Sequence, residues 1–386
     1  MTLPFQERLM SIPHNAADQL LSSKEMIDAL ELMFRRMDAI NAICTTDFPL
    51  YSSKNTNAWT VSSSGSWMGG FWGACWWLRA KLTESASDQQ NAADICQRLA
   101  GKITVDSGYR SLIFWYGAAL GEIWFRDTQA RALTRKSITA LARSFNPKLN
   151  CIPLGAPMGG VSTGHQSIAI DNFAALLQLL TSGEQNLHYY MAQHHTETIL
   201  TACRRHNGAF HASAFFDGRG FQPDDQAGLW SRGQSWAMLG LTRAAALWGE
   251  PYLTHAKTAC EYWQHSRPGS LPPNRLGQLV SCDDPSAAVI ASIAMLSLAR
   301  LLPEGEYWRA YAHRQISVII RSQYFIGFKQ DTGCSENQKN SSTGVFWGCC
   351  YKTGQNEEEL VESVWGNFFL MAALAALTGF IEPGHC

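Results

Sequence analysis

The sequence predicts an all-α protein, an (α/α)6 barrel in which six helical hairpins form a toroid, and three observations carry that expectation. Apolar residues recur at spacings of three and four through almost the whole chain, with no convincing series of alternating strands. The segments so defined alternate between helices apolar nearly all round and helices with one polar face, the pattern of an inner ring wrapped by an outer one. No linker or shift of composition divides the 386 residues, so residues 1–386 are expected to form a single domain.

Taken in order, the helical spans are 15–41, 66–82, 86–102, 107–125, 127–145, 170–183, 186–205, 232–249, 251–267, 284–301, 305–323 and 359–378. The even-numbered members carry FWGACWWL, IFWYGAALG, FAALLQLL, WAMLGLTRAAALWG, AAVIASIAMLSLA and FFLMAALAALTG, and belong inside. Odd members such as SASDQQNAADICQRLAGKI and AQHHTETILTACRR keep a polar face and belong outside. Breaks fall at Pro147 with Asn150, the Gly155 to Gly164 loop, Gly183, Pro251 and the Pro272–Pro273 pair. A two-layered helical solenoid would share the alternation, but no sequence repeat is visible.

Composition narrows the class of partner. Aromatics at 11% against charged residues at only 16% describe a well-buried globular protein with little solvating surface. The 31 basic and 32 acidic residues show no long run of one sign, which argues against nucleic acid or a membrane surface as partner. The N-terminal MTLPFQERLMSIPHNAADQ has no apolar core of signal-peptide length, and no run is long enough to span a bilayer, so a cytoplasmic protein is expected. Eleven scattered cysteines without a C-x-x-C pair suggest neither a disulfide framework nor a zinc site, and adjacent Cys349 and Cys350 are read as small buried hydrophobes.

If the alternation holds, one mouth of the barrel collects the residues that precede the inner helices. These are Trp67, Gly69, Gly70 and Trp72; Asp106; Asp171; Arg232, Gln234 and Trp236; Asp283 and Asp284; and Glu362, Trp365 and Asn367. The stretch WSRGQSWAMLG, from Trp230 to Gly240, puts an arginine and two indoles where unpaired backbone N–H groups and the helix dipole favour an anion. Taken singly, Asp106 and Asp171 could be helix N-caps, Arg232 could pair with a neighbouring acid, and Trp76 and Trp77 are core. Together, carboxylates, a cation and indoles in one bowl describe a sugar-processing cleft. His211, in GAFHASAFFD, precedes a short apolar segment read as a loop or small hairpin at the mouth. His194 and His195 lie on an outer helix and are read as surface or satisfied core residues. No His/Cys/Asp cluster has metal-ligand spacing, and the Gly155 to Gly164 loop lacks the lysine and strand context of a phosphate cradle. Acid–base chemistry without a cofactor is the expectation.

The motifs SWMGGFWGACWWL, VDSGYRSLIFWYGAALG, IAIDNFAALLQLL, GAFHASAFFD, FQPDDQAGLWSRGQSWAMLGL, DDPSAAVIASIAMLSLA and ESVWGNFFLMAAL, in this order, resemble the unsaturated glucuronyl hydrolases, glycoside hydrolase family 88. The resemblance covers most of the chain and implies an (α/α)6 barrel. It also implies removal of a terminal 4,5-unsaturated uronic acid from oligosaccharides left by polysaccharide lyases. Residue by residue, it implies Asp171 as acid/base and Asp106 as second essential aspartate. His211, Gln222, Arg232 and Trp236 match pocket residues; Trp67 and Trp72 are expected as further substrate contacts from their place at the predicted mouth. On this expectation Asp106 raises the pKa of Asp171 by like-charge repulsion, Arg232 pairs with the substrate carboxylate and Trp236 stacks on the ring. The sequence departs from the family at Val105, where a histidine is usual, at Asn367, and at Cys349 and Cys350 beside Lys352. The alternatives are an unsaturated rhamnogalacturonyl-type hydrolase, a sugar epimerase or isomerase, which would want a histidine pair at the mouth, and a carbohydrate-binding protein without activity.

Overall fold

A computed structural model describes residues 19–54, 58–156, 164–183, 185–278, 282–328, 343–353 and 358–386. Within them lie twelve helices. They are α1 (Ser23–Cys44), α2 (Gly69–Thr83), α3 (Ala86–Arg98), α4 (110–125), α5 (Thr128–Ala142), α6 (Phe173–Thr181), α7 (Asn186–Cys203), α8 (Ser231–Trp248), α9 (Tyr252–Ser266), α10 (Pro285–Leu301), α11 (Gly305–Arg321) and α12 (Val364–Leu377). Helix α4 widens to a π-turn over Trp115–Ala119. The expected start of the first helix, 15–18, and residues 157–163 of the glycine-rich loop lie outside the described residues.

Side-chain chemistry explains where several helices begin. Ser22 and Glu25 form a reciprocal capping box on α1, and Ser85, Asp127 and Ser363 each accept a backbone N–H at the starts of α3, α5 and α12. Neither Asp106 nor Asp171 is a cap: the residues at those positions are Tyr109 for α4 and Asn172 for α6.

Burial divides the helices as the sequence does. Every residue of α10 from Pro285 to Leu298 and every residue of α12 is buried, whereas α1, α3, α5 and α11 bury one stripe. Helix α2 packs on α4 and on α12, α4 on α6, α6 on α8, α8 on α10, and α10 on α12. Each of these six carries an outer partner: α3 on α2, α5 on α4, α7 on α6, α9 on α8, α11 on α10 and α1 on α12. Glycines permit the closest approaches. A Cβ at Gly70 of α2 would lie 2.5 Å from the carbonyl oxygen of Ile113 in α4, and one at Gly240 of α8 would lie 2.0 Å from the Phe173 ring of α6.

Seven short strands, absent from the sequence expectation except for the small hairpin, join the helices. Strands β1 (Phe48–Ser53), β2 (Trp59–Ser62), β6 (Cys349–Lys352) and β7 (Glu358–Ser363) form an antiparallel sheet in the order β2-β1-β7-β6. Strands β3 (Ser167–Ala169), β4 (Ser213–Phe216) and β5 (Phe221–Pro223) form a second, in chain order. The helix expected from 359 is a correction: residues through Ser363 pair with β1 and β6, and Ser363 then caps α12. Too few strands alternate over more than three or four residues for periodicity to register them. Arg36 of α1 reaches Glu362 at the end of β7 with Nη2 to Oε2 at 2.6 Å, both groups buried. At the opposite ends of the inner helices, Arg243 of α8 donates to the carbonyls of Pro383 at 2.5 Å and Cys386 at 3.0 Å, and Gln178 of α6 to Gly384 at 2.8 Å. No described helix is long and apolar enough to cross a membrane.

Candidate active site

Strand β3 delivers Asp171 to the start of α6. The Ile170 amide donates to the Ala212 carbonyl at 2.9 Å, extending the ladder to the residue before Asp171. The Asp171 side chain keeps part of its surface accessible while protein surrounds the rest. That burial pushes its carboxyl up to about 6, against the opposing pull of the Arg232 charge and its own backbone amide. Its cause is desolvation, and Asp106 is not among its sources, which corrects the like-charge expectation. The partners of Asp106 are others: its side chain is 62% exposed, 3.8 Å from His165 Nδ1 and 3.9 Å from Arg110 Nη2. Ser144 Oγ donates to its Oδ1 at 3.3 Å.

Arg232 stands in the first turn of α8, where the sequence suggests an anion site, and the anion it meets is the protein's own Asp284. Nη1 donates to Asp284 Oδ2 and to the Cys350 carbonyl at 2.9 Å. The guanidinium carbon lies 5.1 Å from the Trp230 ring and 4.9 Å from the Trp365 ring. Asp284 is wholly buried and also accepts from Ser286 Oγ and from the Cys350 amide at 3.4 Å. Burial works against the Arg232 charge, and Asp284, Cys349, Asp171 and Cys350 together outweigh it, holding the guanidinium above its ordinary value. Among the described residues its Nε and Nη2 make no hydrogen bond.

Two tyrosines that the sequence reading missed link Asp171 to Arg232. Burial, then the neighbouring Asp171 and Tyr351, push the Tyr109 phenol up. Burial also raises Tyr351, with Tyr51 adding to the shift while Arg232 and a hydrogen bond with the Trp67 side chain oppose it. The Tyr51 and Tyr351 rings are 5.1 Å apart, and Trp67 meets Phe71 edge-on at 6.1 Å. Asp171, Tyr109, Tyr351, Arg232 and Trp67 therefore form one continuous neighbourhood at the starts of α2, α4, α6 and α8. Tyr109 stands in the quoted motif VDSGYRSLIFWYGAALG and Tyr351 between Cys350 and Lys352, but tyrosine in an aromatic-rich chain carries no signal of its own.

The other candidates are placed differently. His211 is a buried, fully engaged imidazole: Nε2 accepts from Arg205 Nε at 2.9 Å, which leaves the Nδ1 proton for the Asp225 carbonyl at 2.7 Å. Asp225 Oδ1 accepts from the Ala212 amide at 3.0 Å, so this pair braces the strand that holds Ile170. Gln222 is exposed on β5 opposite Phe215, with its amide against Asp217. Trp236 is 4% exposed with its ring edge-on to Phe369 at 5.3 Å, and Trp72 is 2% exposed and edge-on to Trp76 at 5.9 Å. Both indoles are packed as core. Glu362 and Asn367 bond each other at 3.1 Å and serve the Arg36 pair. His195 is a core residue, accepting from the Ile152 amide at 3.3 Å, and burial pushes it down to about 3. Cys349 and Cys350 are buried free thiols. Among the described residues no group of three or more His, Cys, Asp or Glu is arranged to hold a metal.

No family model matches the chain. Among curated proteins, the unsaturated chondroitin disaccharide hydrolase of Streptococcus pyogenes serotype M1 is 20% identical over 389 residues, 92% of each chain. The unsaturated glucuronyl hydrolase of Bacillus sp. strain GL1 is 22% identical over 360 residues, covering 86% of this chain and 90% of that one. The solved structure of the Bacillus sp. GL1 unsaturated glucuronyl hydrolase superposes with a TM-score of 0.74 at 19% identity, over 92% of this chain and 97% of that chain. That of the unsaturated glucuronyl hydrolase from Streptococcus agalactiae superposes with a TM-score of 0.78 at 16% identity, over 97% and 95%. Fold and sequence similarity agree on a class, the helical glycoside hydrolases. Within that class the chain is similar to unsaturated glucuronyl hydrolases and to an unsaturated chondroitin disaccharide hydrolase.

Proposed function

We propose that the inner helices α2, α4, α6, α8, α10 and α12 close into an (α/α)6 barrel within a single domain, and that the neighbourhood of Asp171 hydrolyses a terminal 4,5-unsaturated uronide. The cyclic order of helix contacts supports the first part. For the second, the observation that carries the reading is Asp171 itself, a carboxyl raised to about 6 and lying within the field of a buried arginine.

An unsaturated uronide is a vinyl ether. Protonation of C4 develops positive charge shared by C5 and the ring oxygen, water adds at C5, and the resulting hemiketal collapses to release the rest of the saccharide. A carboxyl near 6 holds the first proton at mildly acidic to neutral pH and, once ionised, accepts a proton from the attacking water. Arg232 keeps Nε and Nη2 for the substrate carboxylate while Asp284 fixes its Nη1. Trp67, Tyr109 and Tyr351 supply ring faces and hydroxyls around them. Asp106, at the His165 side of β3, serves the substrate's periphery, and His211 acts by bracing β3 and β4. The substrate class is a small unsaturated oligosaccharide, met in the cytoplasm. A structure named for dGlcA-Glc-Rha-Glc, of a protein 18% identical to this chain, supports that substrate class.

Incubation with a panel of lyase-generated disaccharides, followed by loss of ultraviolet absorbance at the conjugated double bond, tests this reading. Wild-type protein consumes at least one member and folded Asp171→Asn consumes none. Turnover by Asp171→Asn would remove the acid/base assignment, and an intact double bond in every wild-type incubation would remove the hydrolase reading.

A further inference from the structure

The β3-β4-β5 sheet has one face spent on packing and one left open, and the open face leads to Asp171. Register pairs Ser167 with Phe215 and Phe215 with Gln222, so these three side chains share one face across the three strands. The next row on that face is Ala169 with Ser213. The opposite face holds Ile168 and Ala214, both buried, and the Phe216–Phe221 ring pair at 5.4 Å. Along the chain Ser167, in the Phe215 row, lies four residues before Asp171, a run of up to about 13 Å, with β3 ending at Ala169. That is longer than one hexose unit.

Phe215 is 41% exposed although it stands in a strand whose other aromatic, Phe216, packs against its neighbour. An exposed ring flanked by the Gln222 amide and the Ser167 hydroxyl presents an apolar platform with hydrogen-bonding groups at its rim. We propose that this face is a subsite for the leaving-group sugars, with Phe215 stacking on a ring beyond the first one. The proposal rests on the hydrolase reading above. Charge selects the kind of sugar. Asp224, which accepts from Ser213 Oγ at 3.0 Å, and Asp217, against Gln222, place two carboxylates beside the platform. Arg219 at the hairpin tip is the one cation on that turn. A neutral hexose fits this surface, and a sulfated or carboxylated one meets like charge.

The test compares an unsaturated disaccharide with an unsaturated tetrasaccharide of neutral sugars. In wild-type protein kcat/KM rises with length. In Phe215→Ala the tetrasaccharide-to-disaccharide ratio falls by about threefold to tenfold, the worth of one aromatic contact. The loss is carried by KM, and Phe215→Trp restores the ratio. A tetrasaccharide with sulfates on the same sugars is turned over more slowly than the neutral one. If wild-type consumes both lengths and the ratio is the same in Phe215→Ala, the subsite falls while the hydrolase reading stands. If wild-type consumes neither length the subsite falls, and if it also leaves every member of the disaccharide panel intact the hydrolase reading falls with it. Faster turnover of the sulfated tetrasaccharide overturns the choice of sugar.

Discussion

Arg232 and Asp284 form a buried ion pair between the starts of two inner helices, with Trp230 and Trp365 on the rings' side of the guanidinium and the Cys350 carbonyl sharing its Nη1. The pair explains why a helix start apparently built for an external anion is already partly satisfied. Removing the acid alone strands a buried cation, which costs about 3–5 kcal/mol. Asp284→Ala is therefore expected to lower stability by that amount in urea denaturation. Arg232→Lys, which lacks the planar fork, loses turnover even where the protein stays folded.

The raised carboxyl of Asp171 has a stability consequence of definite sign. The folded protein binds this proton more tightly than the unfolded chain does, so stability falls as pH rises from 3.8 to about 6. The shift corresponds to up to about 3 kcal/mol at neutral pH. Asp171→Asn is thus inactive yet more stable than wild-type above pH about 6, and the advantage vanishes below pH about 4. Paired denaturation curves at the two pH values measure it. In the active protein, kcat/KM falls as pH rises through the carboxyl's titration, because the acid form delivers the first proton.

Helix spacing is set by glycine at two contacts. Gly240→Ala drives a methyl into the Phe173 ring, and Gly70→Ala drives one into the backbone of Ile113. Each is expected to destabilise by about 1–3 kcal/mol or more, with Gly70 the worse because backbone yields less than a ring. Thermal melts of the two variants establish the order.

His211 has both ring nitrogens in use inside the protein. His211→Ala leaves the Asp225 carbonyl short of its donor at about 1–3 kcal/mol, while the guanidinium of Arg205, an exposed residue, turns to solvent. The expected phenotype is loss of stability together with activity. A variant of full stability and altered KM alone would give His211 a direct contact with substrate.

How far the sequence reveals this protein depends on the kind of information sought. The twelve helices and their inner and outer roles are legible, because full burial writes itself into residues such as Ala287–Leu298 as an apolar run interrupted only by Ser292 and Ser297. The strands are not, since β3 and β5 are three residues long and owe their existence to partners elsewhere in the chain. The places of Asp171 and Arg232 at the starts of α6 and α8 are legible from motif and position. Their surroundings were not: that Arg232 would meet Asp284, that Asp106 would turn to His165, and that Trp236 would pack on Phe369 depend on the angles at which helices cross. The same holds for Tyr109 and Tyr351, whose importance is entirely one of placement.

The Arg36–Glu362 pair joins side chains 326 residues apart, and β1 meets β7 across a similar span. During synthesis, the strand that follows the first helix therefore waits for its neighbour until nearly all the intervening hairpins have emerged. Closing so long a loop brings late and slow docking of the two ends. Until then Arg36 is a solvated cation on an amphipathic helix with its apolar stripe uncovered, the stage at which a nascent chain of this design most needs protection from aggregation.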